Sequence, residues 1–143
     1  MDSAKRVMSG TWGEVWLDGD FVGECYKFQA KDSYTRDKIV LGGKLRPGYK
    51  LNSIEGKGSM GLHKVSSRMA IKIGEALKAG NDPRFTVISK LDDPDAYGAE
   101  RVSFTGVLFD DLTLADWEVA TSGKIEAPFT YDDYEFLDKV EAR

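Results

Sequence analysis

The chain has one histidine and one cysteine, so the residue types that most often run catalysis or hold metals are scarce. His63 stands between Leu62 and Lys64 at the end of an alternating stretch. Alone it supplies one of the several ligands a metal centre needs, and no serine or cysteine lies in a context that makes it a base partner. Cys25 falls among aromatics in a strand-like run, which fits a small buried hydrophobe better than a reactive thiol. Carboxylate pairs can do acid–base work without histidine. However, Asp92-Asp93-Pro94-Asp95 lacks the spacing and distal glutamate of a calcium loop and reads as a turn held by aspartate side chains. Asp110-Asp111 and Asp132-Asp133 follow Phe109 and Tyr131 and read as solvated strand ends. Gly56-Lys57-Gly58-Ser59 is the nearest approach to a phosphate cradle, but it lies within an alternating strand and not ahead of a helix. No constellation supports an enzyme, and no metal or cofactor is implied.

The totals point the same way. A chain of 143 residues with 41% hydrophobic content is the length of one domain. A formal charge of -4, from 24 acids against 20 bases, disfavours binding that depends on phosphate neutralisation. The opening MDSAKRVMSG has charge with no apolar run behind it, so neither a secretory signal nor a membrane span is expected, and the chain is expected to stay in the cytoplasm.

The elements that must carry any function are mostly strands. Two alternating runs meet at Asp18-Gly19, the dipeptide that supplies the positive φ angles of a two-residue hairpin turn. Pairing outward from it sets Leu17 against Asp20, Trp16 against Phe21 and Trp12 against Cys25. Residues 31–49 mix charges with Gly42-Gly43 and Pro47-Gly48 and read as a long loop or protruding arm, in which Ile39-Val40-Leu41 should pack somewhere. Residues 50–63 alternate again: Ile54, Gly56, Gly58, Met60 and Leu62 take one face, Glu55, Lys57 and Ser59 the wet one. The two glycines mark a close approach or a bend. The period then becomes helical, from a cap at Ser66 or Ser67 through Met69, Ile73, Ala76 and Leu77 to Gly80. Strands are expected at 85–91, 100–109 and 117–131, with Pro128 at an edge or a terminus, and the acidic tail 132–143 as a short helix or extended arm. The fold class is therefore mainly β with one flanking α-helix.

In order, WGEVWLDGDFVGECYKFQAK, TRDKIVLGGKLRPGYK, IEGKGSMGLHKVSS with RMAIKIGEALKAG, and GKIEAPFTYDDYEFLD resemble the tail tube proteins of contractile-tailed phages, of the type found in the phage-like element PBSX. The likeness runs over nearly the whole chain and rests on ordered patterns. It implies a single domain over residues 1–143, an antiparallel sandwich rolled into a partial β-barrel. Copies would join into hexameric rings that stack into a hollow tube for DNA, alongside sheath, baseplate and tape-measure proteins, in the host cytoplasm during assembly and then in the virion tail. On that footing Arg36, Asp37, Lys38 and Arg46 are expected at contacts between subunits or rings. Glu55 and Lys57 are candidates to line the lumen, and six copies at -4 would give each ring about -24, a like charge that keeps DNA from sticking. No cofactor, membrane or sequence-specific DNA contact is implied. A second reading is a small-molecule-binding β-barrel whose Trp12, Trp16, Tyr26 and Phe28 line a cavity. A third, an enzyme borrowing a flavin-like cofactor, would show as a coloured protein.

Overall fold

In the computed structural model, which describes residues 9–63, 68–94 and 98–138, Asp18 and Gly19 both take positive φ, 50° and 86°. They join β1 (Gly13–Leu17) to β2 (Asp20–Phe21) in the expected register, Leu17 with Asp20 and Trp16 with Phe21. The ladder ends there. Trp12 does not face Cys25: it closes a 3-10 turn over Gly10–Trp12, and Cys25 pairs with Leu62 instead. The chain turns after Val22, where the Cys25 N–H donates to the Val22 carbonyl, and leaves β1 for the edge of Leu62. The other edge of β1, from Gly13 to Leu17, is taken by β5 (Phe85–Leu91).

The remaining strands are β3 (Cys25–Ile39), β4 (Gly48–His63), β6 (Glu100–Phe109), β7 (Lys124–Tyr131) and β8 (Asp133–Asp138), with α1 (Arg68–Lys78) between β4 and β5. They form an antiparallel sheet in the order β2-β1-β5-β6-β7-β4-β3, with β8 also paired to β6. The sheet folds over on itself at β6. Its first half pairs with β5 and β8, and its end pairs with β7. Gly106, at φ 66°, is the extra residue of a bulge there, since Val87 pairs with Phe104 but Phe85 with Val107. The bulge shifts the alternation by one residue, so Phe104 and Val107, three apart, both enter the core.

The two layers enclose one core. Val15, Leu17, Phe85, Val87 and Phe104 come from the first, and Met60, Leu62, Ala127, Phe129 and Tyr131 from the second. Aromatic rings bridge them, Phe28 to Phe104 and Phe104 to Tyr131, with centroids 5.7 and 4.9 Å apart. Helix α1 adds Ile73 to this core, while Leu77, expected on the same face, is about half exposed. The helix ends as Gly80 requires: at φ 83° its N–H donates to Leu77 and that of Asn81 to Ala76, the paired bonds of a Schellman motif. Ser66 and Ser67 lie outside the described residues.

Three expectations are corrected by pairing that a single strand cannot reveal. The loop at 31–49 is mostly strand, with only residues 40–47 irregular. Conversely, the run from Trp117 becomes a strand only at Lys124, because residues 110–123 have no ladder partner, and Trp117 is 81% exposed. The tail is neither helix nor loose arm through Asp138 but the strand β8. Pro128 is in an inner strand, yet its carbonyl accepts from Asp110 just where β6 has ended. On that side no ladder donor is called for, so the missing N–H leaves nothing unpaired.

Candidate functional site

The ladder between β3 and β4 runs from Cys25 with Leu62 out to Ile39 with Gly48. Strand β7 covers β4 only as far as Gly56 with Tyr131. Beyond that point residues 33–39 and 48–55 pair with one another alone, a ribbon about 25 Å long at 3.3 Å per residue. A bulge between Thr35 and Arg36 resets its register, so that Tyr34 faces Ile54, Arg36 faces Leu51 and Lys38 faces Tyr49. Cross-strand partners share a face. One face, continuous with the core side of the sheet, thus carries Tyr34, Arg36, Lys38, Tyr49, Leu51 and Ile54. The other carries Ser33, Thr35, Asp37, Lys50, Ser53 and Glu55.

Among the described residues the apolar face is left largely open, with Tyr134 of β8 flanking Tyr34 and Ile54 at its base. Tyr34 is 54% exposed, Tyr49 65% and Ile54 56%. Ile39, Val40 and Leu41, expected to pack, are exposed too, at the end of the ribbon that β7 leaves unpaired. The Arg36 guanidinium lies 5.7 Å from the Tyr34 ring centroid, and none of the arm's bases makes an ion pair among the described residues. A two-stranded ribbon is marginal in water by itself. This one is anchored only at its base.

That anchor is specific. Gly56 and Gly58 leave room for the Tyr131 and Phe129 rings to lie directly on β4, the close approach expected of them. The Tyr131 hydroxyl then donates to Asp32 Oδ1 at 2.6 Å. Burial, followed by this bond to a carboxylate, pushes the Tyr131 hydroxyl well above its ordinary range. Because the folded value is raised, the stabilisation holds below the usual tyrosine pKa near 10 and is lost as pH rises beyond it. Tyr131→Phe should cost about 1 kcal/mol at neutral pH. Its stability should also fall less steeply than wild type between about pH 10 and 11, as denaturant titrations across that window would show.

The sequence candidates separate into two places. Arg36 and Lys38 share the apolar face of the arm, Asp37 points from the opposite face, and Arg46 sits in the tip. Glu55 and Lys57 stand together on the sheet face away from the core, 3.5 Å apart. Their neighbours there are Gln29, Lys31, Ser33 and Ser59, and Lys27 meets Glu126 at 3.8 Å on the same side. Acids on this face are matched by lysines, so it lacks the single-sign negative field suggested by the net charge. Of the four aromatics considered for a ligand cavity, only Tyr26 and Phe28 line one groove, about 540 Å³ between β3 and the strands β1 and β5. Trp16 packs on Phe21 on the side of β1 opposite Val15 and Leu17, which disperses the set. His63 lies against the Tyr26 ring at 4.6 Å, and burial pushes the Cys25 thiol up.

Sequence reasoning missed Tyr34, Tyr49, Leu51 and Ile54 as a set, all substantially exposed, as are Tyr134, Phe136 and Leu137 on β8. The signal was the alternation Tyr34, Arg36, Lys38 in a stretch dominated by charge. Free strand edges complete the site. Among the described residues β2 and β3 end the sheet, and β8 pairs with β6 alone.

The family model for phage tail tube proteins matches residues 2–138. The chain is 30% identical over 139 residues to the phage-like element PBSX protein XkdM of Bacillus subtilis (strain 168), covering 96% of this chain and 95% of that protein. In fold it is similar to a chain of the PVC sheath–tube complex of an extracellular contractile injection system in its extended state, with TM-score 0.73, 7% identity and coverage of 95% and 98%. A chain of the sixfold-symmetrised baseplate of the anti-feeding prophage gives TM-score 0.62 at 8% identity, covering 87% and 90%. With an open antiparallel sheet, one flanking helix and a match spanning nearly every residue, this chain belongs to the phage tail tube protein family.

Proposed function

We propose that the chain is the structural subunit of a contractile tail tube, of a phage or a phage-derived particle. Six copies close into a ring through their sheets, rings stack into a hollow tube, and DNA passes along it without sequence-specific contact. The observation that carries this reading is the arm, a ribbon that, among the described residues, presents Tyr34, Tyr49, Leu51 and Ile54 to solvent. Such a ribbon is stabilised when a neighbour covers it. The sixfold symmetry of the anti-feeding prophage baseplate and the sheath–tube pairing in the PVC complex support the ring and the sheath and baseplate as partners, with a tape-measure protein inside. Assembly takes place in the host cytoplasm, and the product resides in the virion tail. The chain acts as one domain, and its work is done by interfaces, with no catalytic step.

On this reading Glu55 and Lys57 face the lumen. The sheet face around them carries Gln29, Lys31, Ser33 and Ser59, and the rings of Tyr26 and His63 lie farther along it. Sedimentation velocity over a concentration series tests the proposal. Wild type should shift from small species to large particles as concentration rises. Replacing Arg36, Asp37, Lys38 and Arg46 with alanine should raise the concentration needed by about tenfold or more, with thermal stability unchanged. Assembly identical to wild type would remove these four residues from the contact.

A further inference from the structure

The exposed arm and the exposed edge of β8 have opposite chemistry. Residues 36–50 hold five bases (Arg36, Lys38, Lys44, Arg46, Lys50) against one acid, Asp37, a net +4. Residues 132–138 hold four acids (Asp132, Asp133, Glu135, Asp138) and no base, a net -4. Asp138 meets Arg101 at 3.1 Å and Asp132 lies 3.9 Å from Arg84, whereas Asp133 and Glu135 have no ion pair among the described residues. Within these segments β3 and β8 each have one edge without a ladder partner among the described residues. Both also expose apolar side chains, Tyr134, Phe136 and Leu137 on β8 and the face described above on the arm.

The spacing agrees as well. Arg36 and Lys38 are two residues apart on one face of β3, and Asp133 and Glu135 are two apart on one face of β8, each pair spanning roughly 6.6 Å. Resting on the tube reading, we propose that the free edge of β3 in one copy adds to the free edge of β8 in a second copy. The pairing is antiparallel, setting Arg36 beside Glu135 and Lys38 beside Asp133. Opposite charges directly across a ladder stabilise it and like charges oppose it. Two different surfaces meet in this contact, so it is heterologous: each copy offers an arm to one neighbour and β8 to another, and repetition closes a ring or extends a stack. Backbone bonding along the edge gives strength and the charges fix register and partner. The other acidic, apolar segment, residues 110–119 with exposed Leu114, Trp117 and Val119, has no strand edge to offer and is the less suited partner.

A charge-exchange experiment on the full chain tests this. Arg36→Glu with Lys38→Glu, and separately Asp133→Lys with Glu135→Lys, should each raise the concentration needed for assembly by about tenfold or more. The four substitutions together should return it to within about threefold of wild type. Assembly of wild type should weaken with added salt. All of these side chains are exposed, so thermal melts should stay within a few degrees of wild type. If wild type assembles but the fourfold variant remains as defective as the pairs, the contact is overturned while the tube reading stands. If Asp116→Lys with Glu118→Lys rescues the arm variant and the β8 pair does not, the partner is the 110–119 loop and the proposal fails. A wild type that stays monomeric at every concentration overturns both.

Discussion

Gly58→Ala should destabilise the fold severely. Its new Cβ would meet the backbone carbonyl of Gln29 on β3 and the Phe129 ring at 2.5 Å. An aromatic side chain can swing aside, but a carbonyl fixed in a ladder cannot, and Phe129 is only 1% exposed, with no space into which to retreat. Alanine ordinarily gains about 0.5–1 kcal/mol over glycine in a strand interior. Overpacking here should outweigh that, for a net loss of about 3 kcal/mol. Against a typical total of about 5–15 kcal/mol this is severe, and a melt should shift down by about 10 °C. Gly56→Ala provides the comparison. The three atoms nearest its Cβ would all belong to the Tyr131 ring, at 2.5 to 2.7 Å, so part of the strain can be relieved by giving up the bond to Asp32. The expected order of stability is wild type, Gly56→Ala, Gly58→Ala, measured by thermal or denaturant unfolding. Equal stability of the two variants would mean that the Gln29 contact is not what matters.

Removing the apolar face of the arm should have the opposite profile, abolishing assembly while sparing the fold. Tyr34, Tyr49 and Leu51 contribute little to their own chain's core, so changing all three to serine should leave the unfolding midpoint within a few degrees of wild type. In an assembled particle each would be covered, and burying such a side chain stabilises by roughly 1.5–3 kcal/mol. Even after generous allowance for the cost of ordering at an interface, three such losses should raise the assembly concentration by roughly 100-fold. Sedimentation beside a thermal melt separates the outcomes. Normal assembly would exclude the arm's apolar face from the interface, and a melt lowered by about 10 °C or more would make it part of the fold.

The features visible in the sequence were those fixed by local chemistry. Asp18-Gly19 announced its turn because few dipeptides accept two positive φ angles in succession. Gly80 ended its helix for a related reason. Gly56 and Gly58 signalled close approach because a glycine pair in an otherwise good strand needs a packing reason, here the Tyr131 and Phe129 rings. What could not be read was structure made by pairing alone. On residues 33–39 both faces are wet, so the contrast that marks a half-buried strand is absent, and only the register with β4 makes them one. β8 is hidden in the same way. Trp117 and Val119 misled in the other direction, since apolar residues with no ladder partner look like strand without forming it. The phase shift at Gly106 needed knowledge of β5, because a bulge is defined by two chains of residues and not one. At the site, the charged residues Arg36, Asp37, Lys38 and Arg46 were expected at contacts through the family resemblance. The apolar partners across the ribbon became visible only when the fold set Tyr34 opposite Ile54 and Lys38 opposite Tyr49.

An arm that is exposed in one copy and covered in many is the centre of this account. Electron microscopy of the purified, concentrated wild-type chain tests it most directly. Hollow tubes or stacked rings with sixfold end views are the predicted result, dispersing into single subunits when Tyr34, Tyr49 and Leu51 are replaced by serine. A wild-type sample that remains uniformly monomeric and featureless at high concentration would contradict it.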